Sequence, residues 1–316
     1  MATGGGEDGC TNILSKYDAL ASSLPSSEKA IGDLRLRKYE GFWYLEHLLA
    51  PTLAMRDTFV ARPTDIILAT TPKSSTTWLK ALVFCVVHRG RHAPADKRHP
   101  LLSSSPHDAV PFLHSIYENH LSAPPGPLLE EMPSPRILAV HTPFTALPAS
   151  VWESACRVVY LCQDPKDVLV SLYHYVDKIR PEGSGTMTPF AEAFDLFYDG
   201  VVAFGPYEDL KEDTVGTVRR LAAFLGCPFT DEEEAEGSGA AAEIVALCSM
   251  DKMRSVQANR DGMHGNGGLC FKNSAYFRKG EVGDWKAHMT PEMARRLDAI
   301  VEEKLRGSGL SMIGNP

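Results

Sequence analysis

Residues 65–90 read DIILATTPKSSTTWLKALVFCVVHRG. The first six residues form a short, nearly unbroken apolar run beside a Pro-containing turn, the pattern of a strand buried on both faces. From Thr77 the spacing changes: Trp78, Leu79, Leu82, Val83, Val86 and Val87 recur at helical intervals, and Gly90 closes the run. A strand, a loop and a helix are therefore expected in immediate succession. A loop in that position presents unpaired backbone N–H groups and the positive end of the helix dipole. In TTPKSSTTW, Ser74, Ser75, Thr76 and Thr77 add hydroxyl donors and Lys73 adds a mobile point charge, a set that suits a phosphate or a sulfate. The plainer alternative is a serine-rich cap on an ordinary helix. The loop is not the Walker form, G-x-x-x-x-G-K-[ST], because Ile67 and Pro72 stand where that motif has glycines, which argues against an ATP-using kinase.

The same alternation recurs downstream. RILAVH (136–141) predicts a second strand and RVVYLC (157–162) a third, which runs into Asp164 and Pro165, a good N-cap and first helical residue. Val168, Leu169, Leu172, Tyr173 and Val176 then share one side of a helix. Further helices are predicted at 189–199, at 215–225 closed by Gly226, and at 291–306 between the Thr290 cap and Gly307. Residues 91–135, rich in Pro, His and Ser, predict loops around one short helix, and DEEEAEGSGAAAE (231–243) an exposed loop leading into a helix. YEGFWYLEHLL (39–49) reads as core packing in preference to a pocket wall. Strands alternating with helices point to an α/β fold: one open sheet whose ligands sit off the carboxyl ends of its strands. Residues 1–35 read as a flexible lead-in and 36–316 as a single domain.

Composition sets limits on function. With 316 residues, 44% hydrophobic and 23% charged, the chain can bury a sizeable core. Its net charge of −8 argues against a nucleic-acid partner or a basic membrane-surface role, so any anionic ligand must be held by a few placed groups. MATGGGEDGC lacks the basic and apolar regions of a secretory signal, and the seven cysteines show neither a C-x-x-C pair nor metal-ligand spacing; a reduced, cytoplasmic setting is the expectation.

The lysine loop resembles the P-K-S-G-T-T-W phosphosulfate-binding signature of the cytosolic sulfotransferases. HTPFTALP (141–148), YLCQDPKDVLVSLYHY (160–175), YEDLKEDTVGTVRRLAAFLGCPF (207–229) and above all FRKGEVGDWK (277–286) resemble further blocks of that family, with the wording closest to its plant branch. The resemblance runs from about residue 40 to the end. It implies a P-loop-like open parallel sheet flanked by helices on both faces. It also implies a metal-free transfer of a sulfuryl group from 3'-phosphoadenosine 5'-phosphosulfate (PAPS), the co-substrate, to a hydroxyl of a small hydrophobic acceptor such as a phenol, flavonoid, steroid or hormone-like metabolite.

Roles follow from the resemblance residue by residue. Lys73 would neutralise charge on the leaving phosphate oxygen while Ser74, Ser75, Thr76 and Thr77 cradle the 5'-phosphosulfate. Trp78 would stack on adenine and Tyr207 would contact it. Ser171, Arg278, Lys279 and Gly280 would hold the 3'-phosphate, where an arginine fork matches the anion. His141 matches the general base, an imidazole suiting that task because its ordinary pKa lies close to working pH. Phe42, Trp43 and Tyr44, with segments 91–125 and 260–275, are candidates for the acceptor pocket.

The sequence departs from the family pattern at four places. Ser75 replaces the glycine of the phosphosulfate loop, a cost if that position needs a left-handed backbone. Gln163 replaces the 3'-phosphate arginine at the end of the third strand; it can donate an N–H but carries no charge. FDLFYDGVVAFGP joins YEDLKED directly at Pro206–Tyr207, where family members have a further helix and strand, so the sheet is expected to be short of one strand. Finally, Lys286 and Thr290 match the K-x-x-x-T-V-x-x-x-E dimer motif but Pro291 and Arg295 do not, which favours a monomer. Two functional readings stay open: a PAPS-dependent sulfotransferase, or a non-catalytic or weakly active shortened paralogue.

Overall fold

The structure, a computed structural model, describes residues 8–27, 29–32, 34–120, 125–181, 183–201, 214–235, 239–265 and 270–307. Helix α1 (Asp8–Ser23) precedes an antiparallel hairpin of β1 (Leu36–Tyr39) and β2 (Phe42–Leu45), which runs straight into α2 (Glu46–Thr58). Strand β3 (Ile66–Thr70) leads through the lysine loop into α3 (Thr76–His88). The short helices α4 (Pro106–Ala109), α5 (Leu113–Asn119) and α6 (Gly126–Glu131) come before β4 (Ile137–Val140). Helix α7 (Ala149–Glu153) separates β4 from β5 (Arg157–Leu161), and α8 (Pro165–Ile179) follows β5 at once. Later helices include Phe190–Leu196, Thr214–Phe224, Ala240–Leu247 and Pro291–Leu305, with a small antiparallel pair, β6 (Met263–His264) and β7 (Phe271–Lys272). No helix among the described residues is long and apolar enough to cross a membrane.

The central sheet has the order β4-β3-β5. Its strands run the same way, because their starts lie side by side: the Ile66 amide donates to the Arg136 carbonyl at 2.9 Å and the Arg157 amide to the Asp65 carbonyl at 2.9 Å. Every residue of β3 and of β4 is buried, as a parallel sheet with helices on both faces requires. Among the described residues β4 and β5 are the outer strands of this sheet, and β5 is the more open of the two: Val158 and Val159 are half-buried and Tyr160 is 53% exposed. The junction at Pro206–Tyr207, where a further strand is expected to be missing, lies outside the described residues.

Contacts gather in two compact units. The first draws on Met1–Ile67, Pro111–Val158 and Thr186–Ala203, the second on Leu68–Val110, Val159–Gly185 and Phe204–Pro316. In the first unit, the Asp65 carboxylate is wholly inaccessible and Arg136 is 3% exposed. Arg136 Nε donates to Asp65 Oδ1 at 2.8 Å, its Nη2 reaches Asp65 Oδ2 and the Val60 carbonyl, and its Nη1 reaches the Leu129 carbonyl. The Arg62 amide donates to the same carboxylate at 2.7 Å. Both charges are therefore paired and hydrogen-bonded, the condition under which burial is tolerated. They also fix the register at the entry of β3 and β4.

The expected lead-in contains α1, whose Tyr17 is buried and donates to Asp57 at 2.7 Å. The aromatic cluster needs correction as a core element: Phe42, Trp43 and Tyr44 are half-buried on the hairpin, because alternate residues of a two-stranded ribbon face opposite ways and leave part of each ring in water. In the second unit, Leu79, Leu82, Val83 and Val86 of α3 and Val168, Leu169, Leu172 and Val176 of α8 are buried, at the predicted helical spacing. Asp164 accepts from the Lys166 amide at 2.9 Å and Thr290 from the Met293 amide at 3.2 Å, so the predicted caps of both helices form.

The Asp65–Arg136 pair yields a stability test. Arg136→Met leaves a carboxylate buried without its counter-ion and is expected to lower the unfolding free energy by about 3–5 kcal/mol in urea titrations. Combining it with Asp65→Asn should recover much of that loss; equal losses in the single and double variants would contradict it.

Candidate functional site

The turn from β3 into α3 is built from main-chain strain and buried hydroxyls. Lys73 and Ser75 both adopt left-handed backbone angles, with φ of 66° and 58°. The helix bonds begin only with the Leu79 amide donating to the Ser75 carbonyl at 3.0 Å, and the Ser75 side chain makes no capping hydrogen bond. The amides of Thr76, Thr77 and Trp78 thus lie in the first turn, where a helix has no partners of its own to offer them. The hydroxyls behind them are ordered: Thr70 Oγ1 lies 2.7 Å from Thr76 Oγ1, and Thr71 Oγ1 pairs with Ser74 Oγ. Ser74 is wholly inaccessible, and Thr71 and Thr76 are buried.

Lys73 Nζ stands 4.0 Å from the ring centre of Tyr175 and 5.8 Å from that of Tyr276, on the faces that favour a cation. Among the described residues no carboxylate pairs with it. Desolvation first, and then the Lys178 and Arg278 cations, lower its pKa to about 7. The lysine of the loop and the arginine of FRKGEVGDWK therefore share one positive field.

That second motif is held in place by α8. Asp167 in the first turn of α8 accepts from the Gly283 amide at 2.7 Å and the Trp285 amide at 3.0 Å, tying the turn to the helix that carries Ser171. Gly280 has φ +71°, a left-handed angle that favours glycine, and the neighbour a Cβ would meet is the mobile end of the Met250 side chain, so the backbone angle is what argues for glycine there. Arg278 Nη1 and Lys279 Nζ each donate to the Asp284 carboxylate at 2.5 Å. Burial works against the charge on Asp284, but the hydrogen bonds from Lys279 and Arg278 outweigh it and hold its carboxyl below the usual range. Arg278 Nε is buried without a hydrogen-bond partner among the described residues. A buried orphan donor on a guanidinium fits an anionic ligand better than a purely structural role.

The expected site residues separate into groups. Lys73, Ser74, Ser75, Thr76, Thr77, Trp78, Gln163, Ser171, Arg278, Lys279 and Gly280 all belong to the second unit, with Trp78, Gln163 and Ser171 half-buried. His141 belongs to the first unit, just beyond β4, with its ring 4.6 Å from Phe112 and 6.3 Å from His114. Tyr207 lies outside the described residues. Sequence reading missed Tyr175, Tyr276, Lys80, His107 and Asp284. Tyr175 was within reach, since it sits four residues after Ser171 on the same helix; nothing in the local pattern marks Tyr276.

The family profile described as "Sulfotransferase domain" matches residues 63–208 and 202–309. The chain belongs to the sulfotransferase family. Cytosolic sulfotransferase 5 of Arabidopsis thaliana is 37% identical over 314 residues, covering 92% of this chain and 94% of that protein. Cytosolic sulfotransferase 8 of the same plant is 40% identical over 319 residues, covering 93% and 92%. Among solved structures, an Arabidopsis thaliana protein provisionally assigned as a steroid sulphotransferase matches with TM-score 0.66 and 32% identity over 99% of both chains. Mouse sulfotransferase SULT7A1 complexed with PAP matches with TM-score 0.60 and 25% identity, covering 87% of this chain and 96% of that one. The family membership and the plant-type cytosolic resemblance thus agree with the sequence motifs.

Within this sulfotransferase the loop serine carries a cost, since a non-glycine residue in the left-handed region loses about 1 kcal/mol or more. Ser75→Gly is expected to raise the unfolding free energy by up to about 1 kcal/mol, the relief of strain being partly offset by the greater freedom of glycine in the unfolded chain. A loss of stability in urea titrations would mean that the Ser75 side chain makes a contact worth more than its strain.

Proposed function

We propose that this chain transfers the sulfuryl group of PAPS to a hydroxyl of a small hydrophobic acceptor, with His141 as the general base. The observation that carries the reading is the lysine loop: a cation without a carboxylate partner among the described residues, beside first-turn amides, in a field reinforced by Arg278. The PAP complex of mouse sulfotransferase SULT7A1, at 25% identity, and the cytosolic sulfotransferases of Arabidopsis thaliana support the same co-substrate. A cytoplasmic setting and a single sulfotransferase domain over 36–316 belong to this reading.

Each residue has a physical task. The first-turn amides of Thr76, Thr77 and Trp78 and the hydroxyls of Ser75 and Thr77 donate to the 5'-phosphosulfate, whose oxygens only accept, while the buried hydroxyls of Ser74 and Thr76 brace the turn from behind. Lys73 meets the negative charge that builds on the phosphate oxygen as its bond to sulfur breaks. A new bond forms between the acceptor oxygen and sulfur, the acceptor proton passes to a ring nitrogen of His141, and PAP departs. Arg278 and Lys279 exchange the Asp284 carboxylate for the 3'-phosphate, and Arg278 Nε gains the partner it lacks. Gln163 contributes an uncharged donor where an arginine would add a fork, which weakens the nucleotide by roughly ten- to a hundredfold.

A second reading, a shortened paralogue with little or no catalysis, is favoured by two observations. The family profile matches in two stretches that meet at 202–208, around the Pro206–Tyr207 junction, and Tyr160 on β5 is 53% exposed. Two measurements separate the readings. PAP at a hundred times its dissociation constant should stabilise the protein by about 2.7 kcal/mol in thermal unfolding. His141→Ala should keep that shift while transfer of labelled sulfate to a panel of phenols, flavonoids and steroids falls by about 10²–10⁴-fold. Stabilisation by PAP without transfer in the unaltered protein selects the paralogue, and absence of both rejects the sulfotransferase reading.

Lys73 makes binding pH-dependent. A phosphosulfate raises its pKa from about 7, so the complex takes up protons, and affinity for PAP falls as pH rises above 7. Calorimetry at pH 8.5 in buffers of different ionisation enthalpy should record an uptake approaching one proton, abolished in Lys73→Met.

A further inference from the structure

Behind the phosphosulfate loop lies a buried polar chain that the assigned roles leave unused. Lys80, one turn into α3, is wholly inaccessible, and its Nζ lies 3.1 Å from His107 Nδ1. The other ring nitrogen of His107, Nε2, lies 2.9 Å from Thr77 Oγ1 in the first turn of the same helix. His107 is 4% exposed and is fixed from several directions. Its ring stacks on Tyr276 at 4.0 Å with planes 28° apart, and the His264 ring centre is 5.2 Å away. Its backbone sits in a capping box, with the Ser105 hydroxyl accepting from the His107 amide at 3.3 Å and Asp108 Oδ2 from the Ser105 amide at 3.1 Å. Burial drives the Lys80 amine well below the ordinary lysine range, opposed by Asp108. A lysine held this deep usually answers to something more than packing.

The direction of the chain follows from what it serves. A phosphosulfate offers only acceptor oxygens, so Thr77 can help to bind it only by turning its hydroxyl proton toward the ligand. The hydroxyl oxygen is then left to accept from His107, which requires the proton on Nε2. Nδ1 is then a bare acceptor, and Lys80, which carries N–H hydrogens in either charge state, must donate to it. We propose that Lys80 and His107 are positioning residues that fix the Nε2–H tautomer and thereby aim the Thr77 hydroxyl at the 5'-phosphosulfate. The proposal rests on the sulfotransferase reading for the identity of the ligand, but the tautomer is a property of the protein by itself.

The test has two arms. In the unliganded, ¹⁵N-labelled full chain, the His107 ring shifts should report the Nε2–H tautomer, and Lys80→Met should move the population toward Nδ1–H. His107 found on Nδ1–H, or unmoved by Lys80→Met, overturns the relay whether or not any nucleotide binds. In the second arm, Lys80→Met and His107→Phe are expected to weaken PAP and raise the KM for PAPS about tenfold, with the KM of the acceptor unchanged. His107→Gln, whose amide can still donate to Thr77, should restore most of the affinity. Lys80→Met placed on Thr77→Val should add little, because both act on one hydroxyl; full additivity overturns the proposal. Should Lys80→Met fail to fold, the tautomer of the unaltered protein and the Thr77→Val and His107→Gln affinities still decide the matter. If PAP fails to stabilise the unaltered chain while the tautomer arm succeeds, it is the ligand assignment that falls, and with it the stated target of Thr77.

Discussion

Everything at this site depends on one backbone constraint: the chain leaves a fully buried strand and enters a helix within five residues, 71–75. Two of the five, Lys73 and Ser75, take up left-handed angles to make the turn. That geometry points a set of amides outward from the helix start and leaves the lysine stem bent back over Tyr175. The cost is local strain and a desolvated cation. It is supported by neighbours that over-determine the turn, namely the Thr70–Thr76 and Thr71–Ser74 hydroxyl pairs beneath it. A donor set of this kind needs no reorganisation when charge develops on a bound oxygen, which is the condition for strong electrostatic stabilisation.

Several charges of the second unit are paired. Lys166 meets Asp164 and Asp298, Arg89 meets Glu233, and Arg278 and Lys279 share Asp284. Lys73 differs from these pairs, as does Arg278 Nε, a buried donor with no hydrogen-bond partner among the described residues. Burial of a cation is tolerated where a counter-charge is present or where the group can shed its proton, and the lowered pKa of Lys73 is the second of these outcomes.

Much of the fold was legible because its signals are local. The strands at 66–70, 137–140 and 157–161 were marked by short apolar runs, and Asp164, Thr290 and Pro291 announced their helices by cap chemistry. The candidate site could be named from sequence only where it is continuous, at TTPKSSTTW and FRKGEVGDWK. Residues that arrive from elsewhere were not. His107 lies in a Pro- and Ser-rich stretch that predicts loop, and its place beside α3 comes from long-range contacts, the hydrogen bonds to Thr77 and Lys80 and the packing against Tyr276. Asp284 is a single carboxylate within a motif dominated by its cations, and its role depends on a turn that places it under both. The aromatic run at 42–44 was misread because composition alone cannot tell a hairpin from a core.

The carboxylate of Asp284 carries a consequence for selectivity. On the proposed reading, a nucleotide bearing a 3'-phosphate replaces one anion by another with more oxygens, whereas common adenosine phosphates that lack it must leave Arg278 and Lys279 with their internal partner. Such competitors gain no compensation for crowding the turn, and they are the most abundant adenine nucleotides in a cell. An ion pair that looks like self-blockade would thus act as a threshold, admitting the scarce donor by making the plentiful imitators bind poorly.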